Sequence, residues 1–252
     1  MKYLKFDETD RIGLLTLNRA EKHNAINKEF MYEMGEILSY LEKSDLKSLI
    51  ITSSGKNVFA AGGDIEYFIT LSTREDAYTM AFNMHTVLNR FEDLEIPTIC
   101  AINGSCIGGG AEFILAFDLL YLRSDSFIQF KEKELGVTTG WGGTYRLAKR
   151  VGHSKALSFL LSAEKIDAKK AKDVGLVDEI YDKDVVLDKA FEFCYSFNEE
   201  ELVLIKYIKK LSRSSINLSR EEAMDFERRL FSNSWMLGKR KSQMERFLNR
   251  VK

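Results

Sequence analysis

Proline is nearly absent: the 252 residues contain one, Pro97. About 5% is usual in globular proteins, so roughly a dozen would be expected. Cysteine and histidine are sparse too, with three of each. Cys100, Cys106 and Cys194 form no CxxC pair and are odd in number. That speaks against a disulfide framework and for a reduced, cytoplasmic setting. His23, His85 and His153 are too scattered to build a zinc site, so no metal is expected. No apolar run approaches the ~20 residues of a membrane helix. The best, Phe113 to Leu122, is broken by Asp118. The first residues, Met1 to Glu8, are too charged for the apolar core of a secretory signal. Net charge is also missing: 37 basic against 38 acidic residues give −1. A general nucleic-acid binder carries a basic excess, so that class is not expected.

What is present is typical of a globular chain, with 45% hydrophobic and 30% charged residues. The length fits one large domain, or one domain with a small appendage. Ile12 to Asn18 reads as a buried strand. Asn27 stands as a cap before Phe30, Met31, Met34, Ile37, Leu38 and Leu41, a helical spacing. Leu49 to Thr52 is too short for a helix and suits a buried strand. The glycine turn Ala60 to Asp64 follows, then helix from Ile65. The pattern recurs with a helix over about Arg74 to Phe91, Pro97, and the strand Thr98 to Ile102. Gly108-Gly109-Gly110 and an apolar helix from Ala111 to Phe117 come next. Leu119 to Leu122 is a further strand, ahead of Phe127 to Phe130. Such alternation predicts an α/β core. From about Val185 only helices are expected, one opened by the capping box Ser219-Arg220-Glu221-Glu222. The tail from Lys239 to Lys252 is basic. The chain thus divides into a core, 1–190, and a helical arm, 191–252. The arm is short for a core of its own, so it is expected to pack on the main body or on a neighbouring subunit.

Chemistry concentrates at two strand–glycine–helix junctions, Ala60 to Asp64 and Gly108 to Glu112. A glycine turn entering a helix leaves N–H groups without partners and lets a ligand approach the backbone. Two facing turns would hold a developing oxyanion between two donors. Taken singly, each turn is better explained by tight strand-to-helix packing, since short glycine motifs are frequent. A Walker loop from Gly104 would need Lys then Ser or Thr at 110 and 111, where Gly110 and Ala111 stand. No GxGxxG and no GxSxG is present. Glu112 follows the glycines, as a dipole-complementing acid in a first turn would. Glu132 and Glu134, if extended, project to one face. An acid and base pair would move a proton on and off a carbon beside a carbonyl.

The residues as a set resemble the crotonase (enoyl-CoA hydratase/isomerase) superfamily. The matching segments are Arg19 to Asn27, Phe59 to Ile65, Pro97 to Gly104, Ile107 to Glu112, Gly142 to Leu147 and Ala168 to Val177. They cover nearly the whole chain in one order. The resemblance implies a spiral of repeated ββα units with a C-terminal, all-helical trimerisation region, as a homotrimer or a dimer of trimers. It implies an acyl-CoA thioester as substrate and no metal or redox cofactor, coenzyme A entering as part of the substrate. The N–H groups of Ala61 and Gly109 match the family's oxyanion hole. Ala25 and the run Ala61, Gly62, Gly63, Asp64 and Ile65 match its coenzyme A channel. Lys22, Lys56 and the basic tail are candidates for the phosphates.

Glu112 matches the first catalytic glutamate of the hydratases. Counting four residues back from Gly136 gives Glu132 as the second, with Glu134 as the alternative. By analogy Glu112 handles the water and Glu132 the C2 proton. The resemblance therefore points first to an enoyl-CoA hydratase, adding water across C2=C3. An isomerase, or a decarboxylase of the ethylmalonyl- or methylmalonyl-CoA type, is the alternative on the same oxyanion hole. A non-enzymatic binder of CoA thioesters, or of RNA, is the alternative of another class. Four departures stand out. Ala20, Lys131 and Thr139 occupy positions where the family commonly has proline, and two of these flank the second-glutamate loop. Trp141 lies where a small residue is common, either narrowing the acyl pocket or filling core space.

Overall fold

The computed structural model describes residues 1–237 and 239–250; Lys252, the last of the basic tail, lies outside them. In chain order the strands and helices are β1 (Leu4–Thr9), β2 (Ile12–Leu17), α1 (Lys28–Leu41), β3 (Ser48–Ser53), β4 (Val58–Ala60), α2 (Ile65–Phe68), α3 (Arg74–Asp93), β5 (Thr98–Ile102), β6 (Ser105–Ile107) and α4 (Gly109–Ile114). Then follow β7 (Leu119–Arg123), β8 (Phe127–Gln129), α5 (Gly143–Val151), α6 (His153–Ser162), β9 (Ile166–Asp167), α7 (Ala168–Asp173), β10 (Glu179–Tyr181), α8 (Val186–Tyr195), α9 (Leu202–Asn217), α10 (Arg220–Trp235) and α11 (Lys239–Arg250). Short 3₁₀ turns lie at Ala20–Lys22, Glu132–Leu135 and Glu199–Glu201.

Local chemistry accounts for the helix starts. The Asn27 side chain accepts from the Phe30 N–H, and the six apolar positions of α1 are all buried. Thr73 and Asp76 form a reciprocal capping box at α3. α4 ends at Ile114, short of the expected Phe117, and the next three residues close in tighter i to i+3 bonds. β1 escaped the sequence reading because Lys5, Asp7 and Glu8 interrupt its apolar residues. It is an edge strand, antiparallel to β2, where exposed charge is tolerated.

Two sheets organise the first unit, in the orders β1-β2-β3-β5-β7-β10 and β4-β6-β8-β9. β3, β5 and β7 enter the larger sheet in parallel, and β4, β6 and β8 enter the smaller one. Each pair is followed by helix, so the expected succession of ββα units is what the chain builds. β3 and β5 are buried along their whole length, as parallel strands covered on both faces are. α8 covers one face, with Val186, Ala190 and Cys194 against Ile12, Ile50, Ile99 and Tyr121. The division expected at residue 190 falls inside α8, and this unit continues to Tyr195.

The second compact unit comprises residues 196–252 with Glu95–Pro97. Its described elements are the last 3₁₀ turn and α9 to α11. Lys209 Nζ donates to the Ile96 carbonyl at 2.8 Å, and Lys206 and Lys210 pair with Glu95. α10 opens with the Ser219–Glu222 capping box that its sequence announces. Among the described residues no helix is long and apolar enough to cross a membrane.

Candidate active site

The two glycine junctions meet. β4 leads into the first and β6 into the second, and these strands are parallel neighbours. Past Ala60 the chain pairs with the segment after Asn24 through a parallel bridge between Ile26 and Gly63. Ile26 N–H donates to the Gly62 carbonyl at 2.7 Å, and Asp64 N–H donates to the Ile26 carbonyl at 2.9 Å. Gly62 has φ +91°, and a Cβ there would stand 2.7 Å from the Gly109 nitrogen. Only glycine satisfies both demands.

This pairing corrects one expectation. The Ala61 N–H, expected to face an oxyanion, donates to the His23 carbonyl at 3.0 Å. A donor held within the fold is not available to a ligand. In a parallel bridge one of the two paired residues, here Ile26, makes both hydrogen bonds, and the other turns its own amide away. Gly63 is that residue, and among the described residues its N–H has no hydrogen-bond partner. The Gly109 N–H, at the first position of α4, has none either. The unengaged pair is therefore Gly63 and Gly109.

Each of these glycines lies against an aromatic ring. A Cβ on Gly63 would collide with the ring carbons of Phe68, and one on Gly109 would come within 2.8 Å of Cε3 of Trp141. The two rings meet edge to face, with centroids 6.5 Å apart and planes at 89°. Trp141 is buried, and its Nε1 donates to the Met80 sulfur at 3.2 Å. Arg146 holds the same turn from α5. Its guanidinium donates to the Trp141 carbonyl at 2.8 Å and reaches Asn89 and Glu92 on α3. Trp141 was singled out as a departure from the family's pattern, with narrowing a pocket and filling core space both open. Phe68, Met80 and Arg146 were not foreseen as parts of a site, because the contacts that matter join residues far apart in the chain.

Glu112 and Glu132 are both buried, 2% and 8% exposed. Glu112 does not cap its own helix. Its Oε2 accepts from the N–H groups of Trp141 and Gly143, both at 2.8 Å, and its Oε1 from Gly140 at 3.2 Å. Burial pushes its carboxyl up, while the N–H bonds from Gly143, Trp141 and Gly140 pull the other way; the result remains raised. Glu132 opens the 3₁₀ turn, and its Oε1 has no hydrogen-bond partner among the described residues. That oxygen lies 3.8 Å from where a Cβ on Gly108 would be. Burial, then the charge of Glu112, pushes the Glu132 carboxyl up to about 7. Of the two, the one lacking donors on its free oxygen keeps a proton near neutrality. The expected extended segment is instead a turn, so Glu132 and Glu134 do not share a face. Glu134 is exposed and pairs with Lys131 at 3.2 Å.

The remaining expected residues divide between scaffold and surface. Asp64 caps α2 and pairs with Arg19 at 2.6 Å, both buried. Burial works against its charge, but the Arg19 guanidinium and the N–H groups of Tyr67 and Glu66 outweigh it and hold the carboxyl below its ordinary range. The Ala25 carbonyl accepts from the same guanidinium at 2.7 Å. Ile65 is exposed, as is Lys22, whose Nζ reaches Glu66 at 2.6 Å. Lys56 is exposed on the turn between β3 and β4. Among the described residues no cluster of three or more His, Cys, Asp or Glu has the arrangement to hold a metal ion.

Comparison with known proteins places this geometry among relatives. Residues 7–252 match the sequence model of the family described as Enoyl-CoA hydratase/isomerase. The chain is 34% identical over 231 residues to the ethylmalonyl-CoA decarboxylase of Homo sapiens, covering 90% of this chain and 75% of that protein. It is 28% identical over 247 residues to a short-chain-enoyl-CoA hydratase of Clostridium acetobutylicum, covering 98% and 94%. The crystal structure of an enoyl-CoA hydratase from Thermoplasma volcanium GSS1 superposes with a TM-score of 0.88 at 29% identity, covering 98% of this chain and 97% of that one.

Proposed function

The chain belongs to the enoyl-CoA hydratase/isomerase family, and from that premise we propose that it forms and protonates the enolate of a short acyl-CoA thioester, by decarboxylating a malonyl-type acyl-CoA. One observation carries this reading. Of the two buried carboxyls beside the Gly108–Gly110 run, Glu132 alone has a buried oxygen with no hydrogen-bond partner among the described residues, and its affinity for protons is raised to about 7. The 34% identity to ethylmalonyl-CoA decarboxylases supports the same direction.

In this mechanism the thioester oxygen accepts from the Gly63 and Gly109 N–H groups. The substrate's C–CO2 bond breaks, carbon dioxide leaves, and the electron pair becomes the enolate. Removing one such donor typically costs about 10²–10³ in rate. Protonated Glu132 delivers its proton to C2, giving the saturated acyl-CoA, and is reprotonated from solvent. The N–H donors around Glu112 favour its charged form against burial, and that charge raises the proton affinity of Glu132. Lys22 and Lys56 are assigned to the coenzyme A phosphates. The step as written uses no resident cofactor.

Hydration is the second reading, favoured by the pairing of two buried carboxyls and by the likeness to a hydratase. There Glu112 would take a proton from water, which its three N–H bonds make harder. Incubation with ethylmalonyl-CoA and with crotonyl-CoA, products identified by mass, separates the two. Loss of carbon dioxide from the first is expected. Water gain on crotonyl-CoA without decarboxylation would overturn the first reading in favour of the second. The helices α9 to α11 are assigned to self-association as a trimer or dimer of trimers. A stable, fully active monomer in light scattering would refute that assignment.

A further inference from the structure

We infer that Phe68 and Trp141 form an aromatic wall that limits the acyl group at the two donor glycines to short chains; this rests on the reading of Gly63 and Gly109 as hosts of a thioester oxygen. The rings are not generic core filling. Phe68 lies on Gly63 and Trp141 on Gly109, so the space a side chain would take at either donor is filled by indole or phenyl. The rings brace each other edge to face.

The wall is held from three sides. The Trp141 N–H is caught by Glu112, its carbonyl by Arg146, and its indole N–H by the sulfur of Met80. With both main-chain groups and the indole N–H of Trp141 anchored, swinging the ring aside breaks a bond at one end or the other. A ring so fixed excludes rather than adapts. The free oxygen of Glu132 stands 3.8 Å from where a Cβ on the preceding glycine, Gly108, would be. With Glu132 beside Gly108 and the indole beside Gly109, the proposal puts the acyl carbons of a carbonyl seated on Gly109 next to both side chains. A chain that ends there fits, and a longer one meets the ring.

Calorimetric titration of the full chain with two unreactive thioesters, butyryl-CoA and octanoyl-CoA, tests this, with free coenzyme A as reference. Wild type is expected to bind butyryl-CoA more tightly. Trp141→Ala and Phe68→Ala should each raise the octanoyl-to-butyryl affinity ratio, by about tenfold or more for the indole, since single methylenes in apolar pockets discriminate on that scale. General destabilisation would weaken both ligands without moving the ratio. If Trp141→Ala fails to fold, Trp141→Phe and Phe68→Leu must shift the ratio in the same direction. A ratio unchanged in folded variants, or a wild type that already prefers octanoyl-CoA, overturns the wall. Thioesters that bind no better than free coenzyme A would overturn the thioester reading itself, and the wall with it.

Discussion

Glu112 projects from α4 into a turn that offers it three N–H donors, whereas Glu132 opens a 3₁₀ turn and keeps a buried oxygen with none. Both belong to the same first unit, and burial raises both. The difference lies in how each anion is solvated by the protein. Three oriented N–H groups replace water around Glu112, so its charge is tolerated and its position is set. Glu132 lacks that replacement at its free oxygen, so it holds a proton and stays chemically available. The comparison separates a carboxyl held by three N–H donors from one that, in the proposed mechanism, delivers the proton.

The largest way to break this contrast is Glu132→Gln. It should lower turnover by about 10²–10⁴, the usual worth of a positioned acid, in a folded protein. Product formation from ethylmalonyl-CoA measures it, and full turnover would erase the distinction. Glu112→Ala should act mainly on stability and on the Trp141 turn. Each stranded N–H costs about 1–3 kcal/mol, and a chain of this size loses roughly 2–4 °C of melting temperature per kcal/mol. Glu112→Gln, which keeps one acceptor oxygen, should lose less in the same melting experiment.

A pH series sharpens the contrast further. Glu132 donates its proton only when protonated, so turnover should fall as pH rises through about 7. Stability has the same sign. The folded-state value lies above the unfolded one, so protons favour the native chain, and this contribution weakens as pH climbs from about 4.3 toward 7. Glu132→Gln should therefore gain stability relative to wild type at pH 8 compared with pH 5. The smallest effect belongs to Glu134→Gln. Its exposed pair with Lys131 should be worth less than about 1 kcal/mol, with turnover unchanged.

Much of this was legible in the chain itself. The spacing of Phe30 to Leu41, the capping box at Ser219 and the all-apolar runs of β3 and β5 are short-range patterns, and the structure follows them. The triple glycine could be picked out from its place before a helix, whereas Glu112 and Glu132 came from the family resemblance, the second by counting four residues back from Gly136. β1 was illegible because an edge strand need not alternate cleanly. The choice between Glu132 and Glu134 was open because it turns on whether the segment extends or coils, and coiling buries one and exposes the other.

The sequence by itself determined most of the strands and helices between β2 and β8 and the punctuation at the glycines, since each depends on residues within a turn or two of one another, and six segments in one order carried the family resemblance. Tertiary structure alone decided which amides stay unengaged, which acid lacks donors and what lies over the glycines. The Ala61 N–H is engaged by the His23 carbonyl and the Gly63 N–H is left unengaged, through a bridge to a segment nearly forty residues upstream. Trp141 reached Gly109 because Glu112 caught its N–H. Hydrogen bonds and close packing act over a few ångströms in space, and no spacing along the chain specifies which distant groups will come that near.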